Sequence, residues 1–397
     1  MLLDDIRRRL FAPSKSATPN AVGLELELLP ITRSARRPAL PALDSDPSTG
    51  SILMELGRRS GWIEQRNGDD PSSWRTRTSA VISFEPGGQI EISTAPFRTA
   101  AAAIAEAQDL VAVLGEAMDD EEIDLVARGV DPYNDIDAVP LQLHRERYTG
   151  MTRYFESIGP SGVRMMRQTA ALQINVERGE EPETRWRLLN ALAPIVVALF
   201  ANSRQYASQR TDWASYRSYL WRTLDPSRTG IIYEAADPAR RYLDFALDAG
   251  YMRNDSPSSG YGSFRARLDD PRLSREDWLF HLSTLFPEVR PKEFFELRSA
   301  DTIEIASLAA PVVFVAGLVY SEPHSRRAAE LMGTPSAELL DRAGRMGLAD
   351  AEIRDLAAKL TSLALEGALT LGQDYFRAAD MDAAREYFAR ALVSRDI

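Results

Sequence analysis

Apolar and polar side chains alternate most cleanly in two short stretches of the chain. Residues 22–28, VGLELEL, put Leu24, Leu26 and Leu28 on one face and Glu25 and Glu27 on the other. Residues 79–97 carry two more such runs around Pro86-Gly87-Gly88, which predicts a hairpin with a three-residue turn. Ile82, Phe84, Ile90 and Ile92 make its apolar face, while Glu85, Gln89 and Glu91 face the other way. If Glu85 pairs with Gln89, Glu91 lies diagonally across from Glu85, roughly 7–8 Å away at Cα. Four carboxylates thus fall on strand faces, and neither strand contains a Lys or Arg. Glu is depleted in strands, and like charges on one face repel. The face is either simply wet or built for a divalent cation, and the missing basic residues favour the cation.

The remaining patterns predict an α+β chain. An Ala-rich helix is expected over residues 99–118, packed on the apolar side of the carboxylate sheet. A strand over 123–128 follows, ending in a turn at 129–134. Residues 165–176 alternate as a strand, with Arg167, Gln173 and Asn175 on the polar face and Met166, Leu172 and Ile174 on the other. A buried helix is expected over 183–203, kinked or divided by Pro194, and a second over 213–224 with Asp212 as N-cap. On that helix Arg217 is flanked by aromatics; it is either a carboxylate fork or a surface arginine lying on them. Ser274 and Asp277 form a capping-box start for a helix through Leu285. Residues 292–298 read as a strand with Glu296 and Arg298 side by side, as an ion pair or as part of a site. Helical runs at 303–320, 335–346, 350–372 and 383–393 complete the chain, and the Pro-, Ser- and Asp-rich 34–51 and 68–73 read as loops.

Composition narrows the function classes. A net charge of −11 argues against a nucleic-acid surface or an anionic membrane patch. With zero cysteines there is no disulfide scaffold, thiol nucleophile or thiolate metal site. No apolar run reaches membrane-spanning length and the N-terminus lacks a signal-peptide core, so a cytoplasmic protein is expected. There is no phosphate-binding G-x-x-x-x-G-K-[ST] loop and no G-x-G-x-x-G. His144, His281 and His324 lack metal-ligand spacing, and His281 is expected to be a structural hydrogen-bonding residue. No linker marks a domain boundary, so residues 1–397 read as one domain with 302–397 as helical scaffold.

The motifs G-L-E-L-E and F-E-P-G-G-Q-I-E resemble those of the plant and bacterial glutamate–cysteine ligases. Further stretches in the same order strengthen the resemblance: MMRQTAALQINVE (165–177), LFANS (199–203), DWASYRSYLWRTLDPSRTG (212–230) and HLSTLFPEVRPKEFFELRSAD (281–301). The GPSGVRMMRQTAALQINVE and LFPEVRP blocks look most like the ergothioneine-pathway branch. The resemblance implies a glutamine-synthetase-like fold, in which a mostly antiparallel sheet floors the active site and helices back it. It also implies ATP-dependent joining of the glutamate side-chain carboxylate to the amine of cysteine. By family position, Glu25, Glu27, Glu85, Glu91 and Glu296 would hold two or three Mg2+ ions. Arg298 would meet the phosphates, Arg167 and Arg217 the substrate carboxylates with Gln173, and Asn175 and Asn202 the nucleotide or metal. A ligase of this fold with another amine acceptor stays open, as does the choice between monomer and homodimer. A non-catalytic relative would be expected to lose carboxylates that are all present here.

Overall fold

The computed structural model describes residues 2–14, 20–233, 236–253 and 261–393. The leucine stripe does what its period requires. Val22–Thr32 (β1) runs through the middle of an antiparallel sheet, with Leu24, Leu26 and Leu28 fully buried. Two strands that the alternation did not reveal, Ile63–Asn67 (β2) and Asp70–Arg75 (β3), lie at one edge. β2 reads IEQRN and is mostly exposed, so it carries no apolar stripe to detect. Asp70 begins β3, which leaves only the first part of residues 68–73 as a turn. The hairpin arms Val81–Phe84 (β4) and Ile90–Ser93 (β5) come next, and Ile123–Val126 (β6) pairs with the far half of β1.

Ala171–Val176 (β7) pairs with β1 on its other side. Two small ladders stand apart: Gln205–Tyr206 (β8) with Gln209–Arg210 (β9), and Thr229–Gly230 (β10) with Phe286–Pro287 (β11). Val289–Pro291 (β12) and Phe295–Asp301 (β13) complete the large sheet, in the order β12-β13-β7-β1-β5-β4-β3-β2. As expected, Glu296 and Arg298 share one face of β13, and Phe295 and Leu297 are buried on the other.

Residues 165–176 are a correction. The first part is not strand but the end of a helix, Pro160–Gln168, and only Ala171–Val176 is extended. Pro160 at the first helical position favours a helix start. Met165 and Met166 are both buried there, which neighbouring positions on a helix allow and strict alternation along a strand does not. Arg167 therefore sits on a helix, off the sheet.

Ala100–Asp119 is the expected helix, capped by Thr99, whose Oγ1 accepts from the Ala102 N–H at 3.3 Å. It packs its Ile104, Leu110 and Leu114 side against β1 and β6. Pro182–Leu199 continues through Pro194 as one buried helix rather than dividing there. Tyr216–Leu224 starts one turn later than expected, because Ser215 and not Asp212 caps it. The Ser274–Asp277 capping box forms, and its helix Arg275–Ser283 ends shortly before Leu285. Five C-terminal helices, from Ala309–Tyr320 to Ala378–Val393, pack on Pro182–Leu199 and on one another. Among the described residues no single helix is long and apolar enough to cross a membrane. A bent pair meets that requirement only together, and its apolar half, Ala309–Tyr320, is wholly buried.

His281 is structural, as expected. It is fully buried, stacks on Phe264 at 4.5 Å, and its Nε2 lies 2.6 Å from the Ala246 carbonyl. Burial pushes its pKa down to about 4. The unfolded chain then binds the extra proton between about pH 6.5 and 4, so the neutral imidazole's contribution is intact above 6.5 and lost towards 4. Denaturant titrations should show the stability gap between wild type and His281→Asn closing as pH falls from 7 to 4.5. A gap independent of pH would contradict this account.

Candidate active site

Pairing register decides which side chains meet. Glu25 stands across from Gln173 on one side and Ser93 on the other, and Glu27 stands directly across from Glu91. Asn175 faces Gly23 and Glu296, and Arg290 faces Glu296. The Glu85 N–H donates to the Gln89 carbonyl at 2.8 Å, so the hairpin closes in the expected register with Glu91 diagonal to Glu85. Its turn is seated against the helix Pro160–Gln168. A Cβ at Gly87 would lie 1.9 Å from the Arg167 carbonyl oxygen, so only glycine fits there. The buried Gln89 amide also donates to the Thr169 carbonyl at 2.8 Å.

These side chains floor a cleft of about 290 Å³. Its walls are Arg147 and Tyr148, the methionines Met151, Met165 and Met166, and the aromatics Trp221 and Phe286. Glu27 accepts from the Ala171 N–H at 2.8 Å and the Gln173 amide at 3.0 Å. Glu25 accepts from the Asn175 amide at 2.9 Å, and Glu91 from Ser93 at 2.8 Å. Neutral donors hold these carboxylates in place without cancelling their charge.

Apart from Lys292 at 3.9 Å from Glu25, the ion pairs of the cleft gather on Glu296. Arg290 reaches it at 2.6 Å, and Lys292 and Arg298 also contact it. Although its burial works the other way, Arg290, Arg298 and Lys292 hold Glu296 well below the usual carboxylate range. Its neighbours go the opposite way. Burial and then Glu91 push Glu27 up to about 7. Burial, Glu91 and Glu27 raise Glu85 well above its ordinary value, and burial and Glu296 raise Glu25. Directly opposed like charges destabilise a sheet, so this floor is a place where a cation would relieve strain. Its donors are the hard oxygens that Mg2+ takes. Among the described residues no three His, Asp or Glu side chains converge tightly enough to form a finished ion site, so the fit lies in charge and donor type.

Arg298 links the floor to the wall. It donates to Gln173 Oε1 at 2.6 Å, contacts Glu296, and lies over the Trp221 ring at 5.1 Å. Of the residues expected in the site, Glu25, Glu27, Glu85, Glu91, Glu296, Gln173, Asn175 and Arg298 come together.

Three do not. The Arg167 side chain is absent from the cleft wall, which its helix lines with Met165 and Met166 instead, and the acids that act on it are Glu156 and Asp137. Arg217 is buried beside the cleft and off its wall, over the Trp221 ring at 5.5 Å, donating to the Arg298 carbonyl at 2.6 Å and lying 3.8 Å from Asp301, so it braces β13 while its charge acts on Glu27. Asn202 is fastened to backbone, its amide donating to the Ala127 and Thr302 carbonyls at 2.9 and 2.8 Å, and it lines a separate small cavity.

Sequence reasoning missed Arg290, Lys292, Arg147 and Trp221. The first two could have been found by pairing 289–291 with 295–301 as a hairpin, since that register sets Arg290 opposite Glu296. Prolines at 287 and 291 hide the short strand. Arg147 and Trp221 lie on helices, where no local pattern points at the sheet.

Residues 21–390 match the profile of the glutamate–cysteine ligase family 2. The chain belongs to that family. Within it, the chain is similar to the glutamate–cysteine ligase EgtA of Mycolicibacterium smegmatis, at 33% identity over 305 residues, covering 72% of this chain and 71% of the relative. It is 29% identical over 342 residues to the chloroplastic glutamate–cysteine ligase of Nicotiana tabacum, covering 80% of this chain and 65% of that one. The fold is shared with the Francisella tularensis glutamate–cysteine ligase solved in complex with AMP. There the TM-score is 0.54 at 13% identity, covering 95% of this chain and 83% of the other. A mostly antiparallel sheet backed by helices is expected of such a family member, and the chain has one.

Proposed function

We propose that the protein is an ATP-dependent glutamate–cysteine ligase that forms γ-glutamylcysteine through a γ-glutamyl phosphate. The observation that carries this reading is a floor of four carboxylates, Glu25, Glu27, Glu85 and Glu91, whose one ion pair is the 3.9 Å contact of Glu25 with Lys292, abutting the cations Arg290, Lys292 and Arg298 on one sheet face. Family membership and the similarity to EgtA support it.

An amide forms from a carboxylate near neutral pH only after the carboxylate gains a leaving group. An oxygen of the glutamate γ-carboxylate attacks the γ-phosphorus, the bond to the β–γ bridging oxygen breaks, and ADP leaves. The cysteine nitrogen then attacks the acyl carbon, phosphate departs with the C–O bond's electrons, and the nitrogen gives up a proton. Both steps bring anions together, so the site must supply positive charge. Arg298 is placed for the transferring phosphoryl group, flattened on Trp221 and aimed by Gln173. Glu25, Glu27, Glu85 and Glu91 would hold two or three Mg2+ ions, which when bound neutralise the floor and the phosphates. Glu296, already matched by three cations, fits better as the group that gathers them. The cytoplasm, with its ATP and reduced thiols, is the natural compartment for this reaction.

Substrate choice tests the reading. Aspartate is shorter by one methylene, and with its α-carboxylate held it would draw the reacting carboxylate away from Arg298. Misplacement by roughly 1 Å costs on the order of 100-fold. The acceptor side chain would meet Met151, Met165 and Met166, a soft wall that recognises size more than hydrogen bonding. ADP release should therefore fall about 100-fold with aspartate but only modestly with 2-aminobutyrate in place of cysteine. Equal use of the two donors, or refusal of 2-aminobutyrate beside a different preferred amine, would overturn the assignment.

A further inference from the structure

A second, larger cavity of about 900 Å³ opens beside the cleft and shares Arg147, Arg290 and Lys292 with it. Its wall adds Arg178, just beyond β7, and Arg8 and Arg9 from the helix Leu2–Leu10. Among the described residues the one acid on this wall is Glu293. Some of the positive charge is already spoken for. Glu296 engages Arg290 and Lys292 from the floor side, and Asp5 lies 3.2 Å from Arg9. Arg147 and Arg178, however, donate to the carbonyls of Ser283 and Arg9, at 2.8 and 2.7 Å, rather than to carboxylates. The Nε of each is buried without a hydrogen-bond partner.

Set against Glu293, Glu296, Asp5 and Asp4, the six cations still leave an excess of positive charge greater than one substrate carboxylate would balance, whereas a polyphosphate carries several charges and many acceptor oxygens. The shared rim gives such a ligand a direction. A chain lying along Arg8, Arg9 and Arg178 would bring its far end past Arg290 and Lys292 to Arg298 and the carboxylate floor. The helix lies ahead of residue 21, where the family match begins, so that match assigns nothing to Arg8 or Arg9.

We propose that Arg8 and Arg9 of the N-terminal helix extend the nucleotide's phosphate-binding wall into this chamber, as binding residues for the polyphosphate. The proposal rests on the ATP-dependent reading above. Arg8 is exposed and its Nε donates only within the helix, to the Asp4 carbonyl at 3.2 Å, so Arg8→Glu should fold. Calorimetry with inorganic tripolyphosphate on the full chain, without glutamate, measures the chamber directly. Arg8→Glu should weaken tripolyphosphate binding by about tenfold and raise the KM for ATP similarly, with the KM for glutamate within about twofold. Arg8→Lys should restore both, and Arg9→Gln should weaken binding by a smaller factor because Asp5 already shares its charge. Tripolyphosphate binding that ignores Arg8→Glu, or a rise in the glutamate KM instead, would overturn the proposal. A protein that binds tripolyphosphate through Arg8 yet joins no amine to glutamate would leave the chamber standing and refute the ligase reading.

Discussion

Arg298→Lys is expected to lower turnover by about 10²–10³-fold with little change in thermal stability. The arginine makes three contacts at once: Glu296, the Gln173 side-chain oxygen, and the face of Trp221. A planar guanidinium can satisfy all three while presenting an edge to a phosphoryl group. An ammonium keeps the charge but loses the stacking and the fork. Glu296 retains Arg290 and Lys292 in the variant, so the floor stays neutralised on that side and the sheet should hold. Steady-state rates and melting curves on the same preparation decide the matter. Loss of activity together with a large drop in Tm would mean that Arg298 is chiefly structural, and near-normal turnover would remove it from the chemistry.

Glu85→Gln should abolish most Mg–ATP turnover and, unusually for an active-site change, slightly raise Tm when Mg2+ is withheld. Glu85 is disfavoured as an anion by burial, by Glu91 and by Glu27. A neutral amide of the same shape removes that repulsion, of the order of 1 kcal/mol or less for facing charges, or about 1–2 °C in a chain of this size. The wild type should behave oppositely when Mg2+ is added. Because Glu27 titrates near 7 while its unfolded value is about 4.5, the stability from its protonated form is present below pH 4.5 and lost as pH rises through 7. The Mg2+-induced rise in Tm should therefore grow between pH 5.5 and 7.5, and Glu85→Gln should blunt it. If Mg2+ shifts both proteins equally at both pH values, the carboxylate floor is not where the ion acts.

The sequence by itself determined the parts of this protein that repeat every second residue. VGLELEL and the hairpin around Pro86-Gly87-Gly88 have one apolar and one polar face, so burial of the leucines and isoleucines compels the glutamates onto the opposite side. That logic placed Glu25 and Glu27 on one polar face, Glu85 and Glu91 on another, and Glu296 beside Arg298, while the pairing of β1 with β5 brought the first two faces together. It failed at residues 165–168, where the alternation of 171–176 does not extend and the adjacent Met165 and Met166 are both buried on a helix, which carries Arg167 off the sheet. Arg217 and Asn202 lay in motif blocks, but which way a side chain turns from a helix or loop depends on what packs beside it. Asp301 and the β13 backbone claimed the first, and the Ala127 and Thr302 carbonyls the second. The cations that balance the floor were settled only by tertiary structure. Arg147 arrives from a helix, Arg290 and Lys292 from a strand disguised by prolines, and Arg8 and Arg9 from more than 130 residues before any of them. Period fixes the face of a strand from within, whereas charge balance is set between elements that share no period and meet only when the chain has folded.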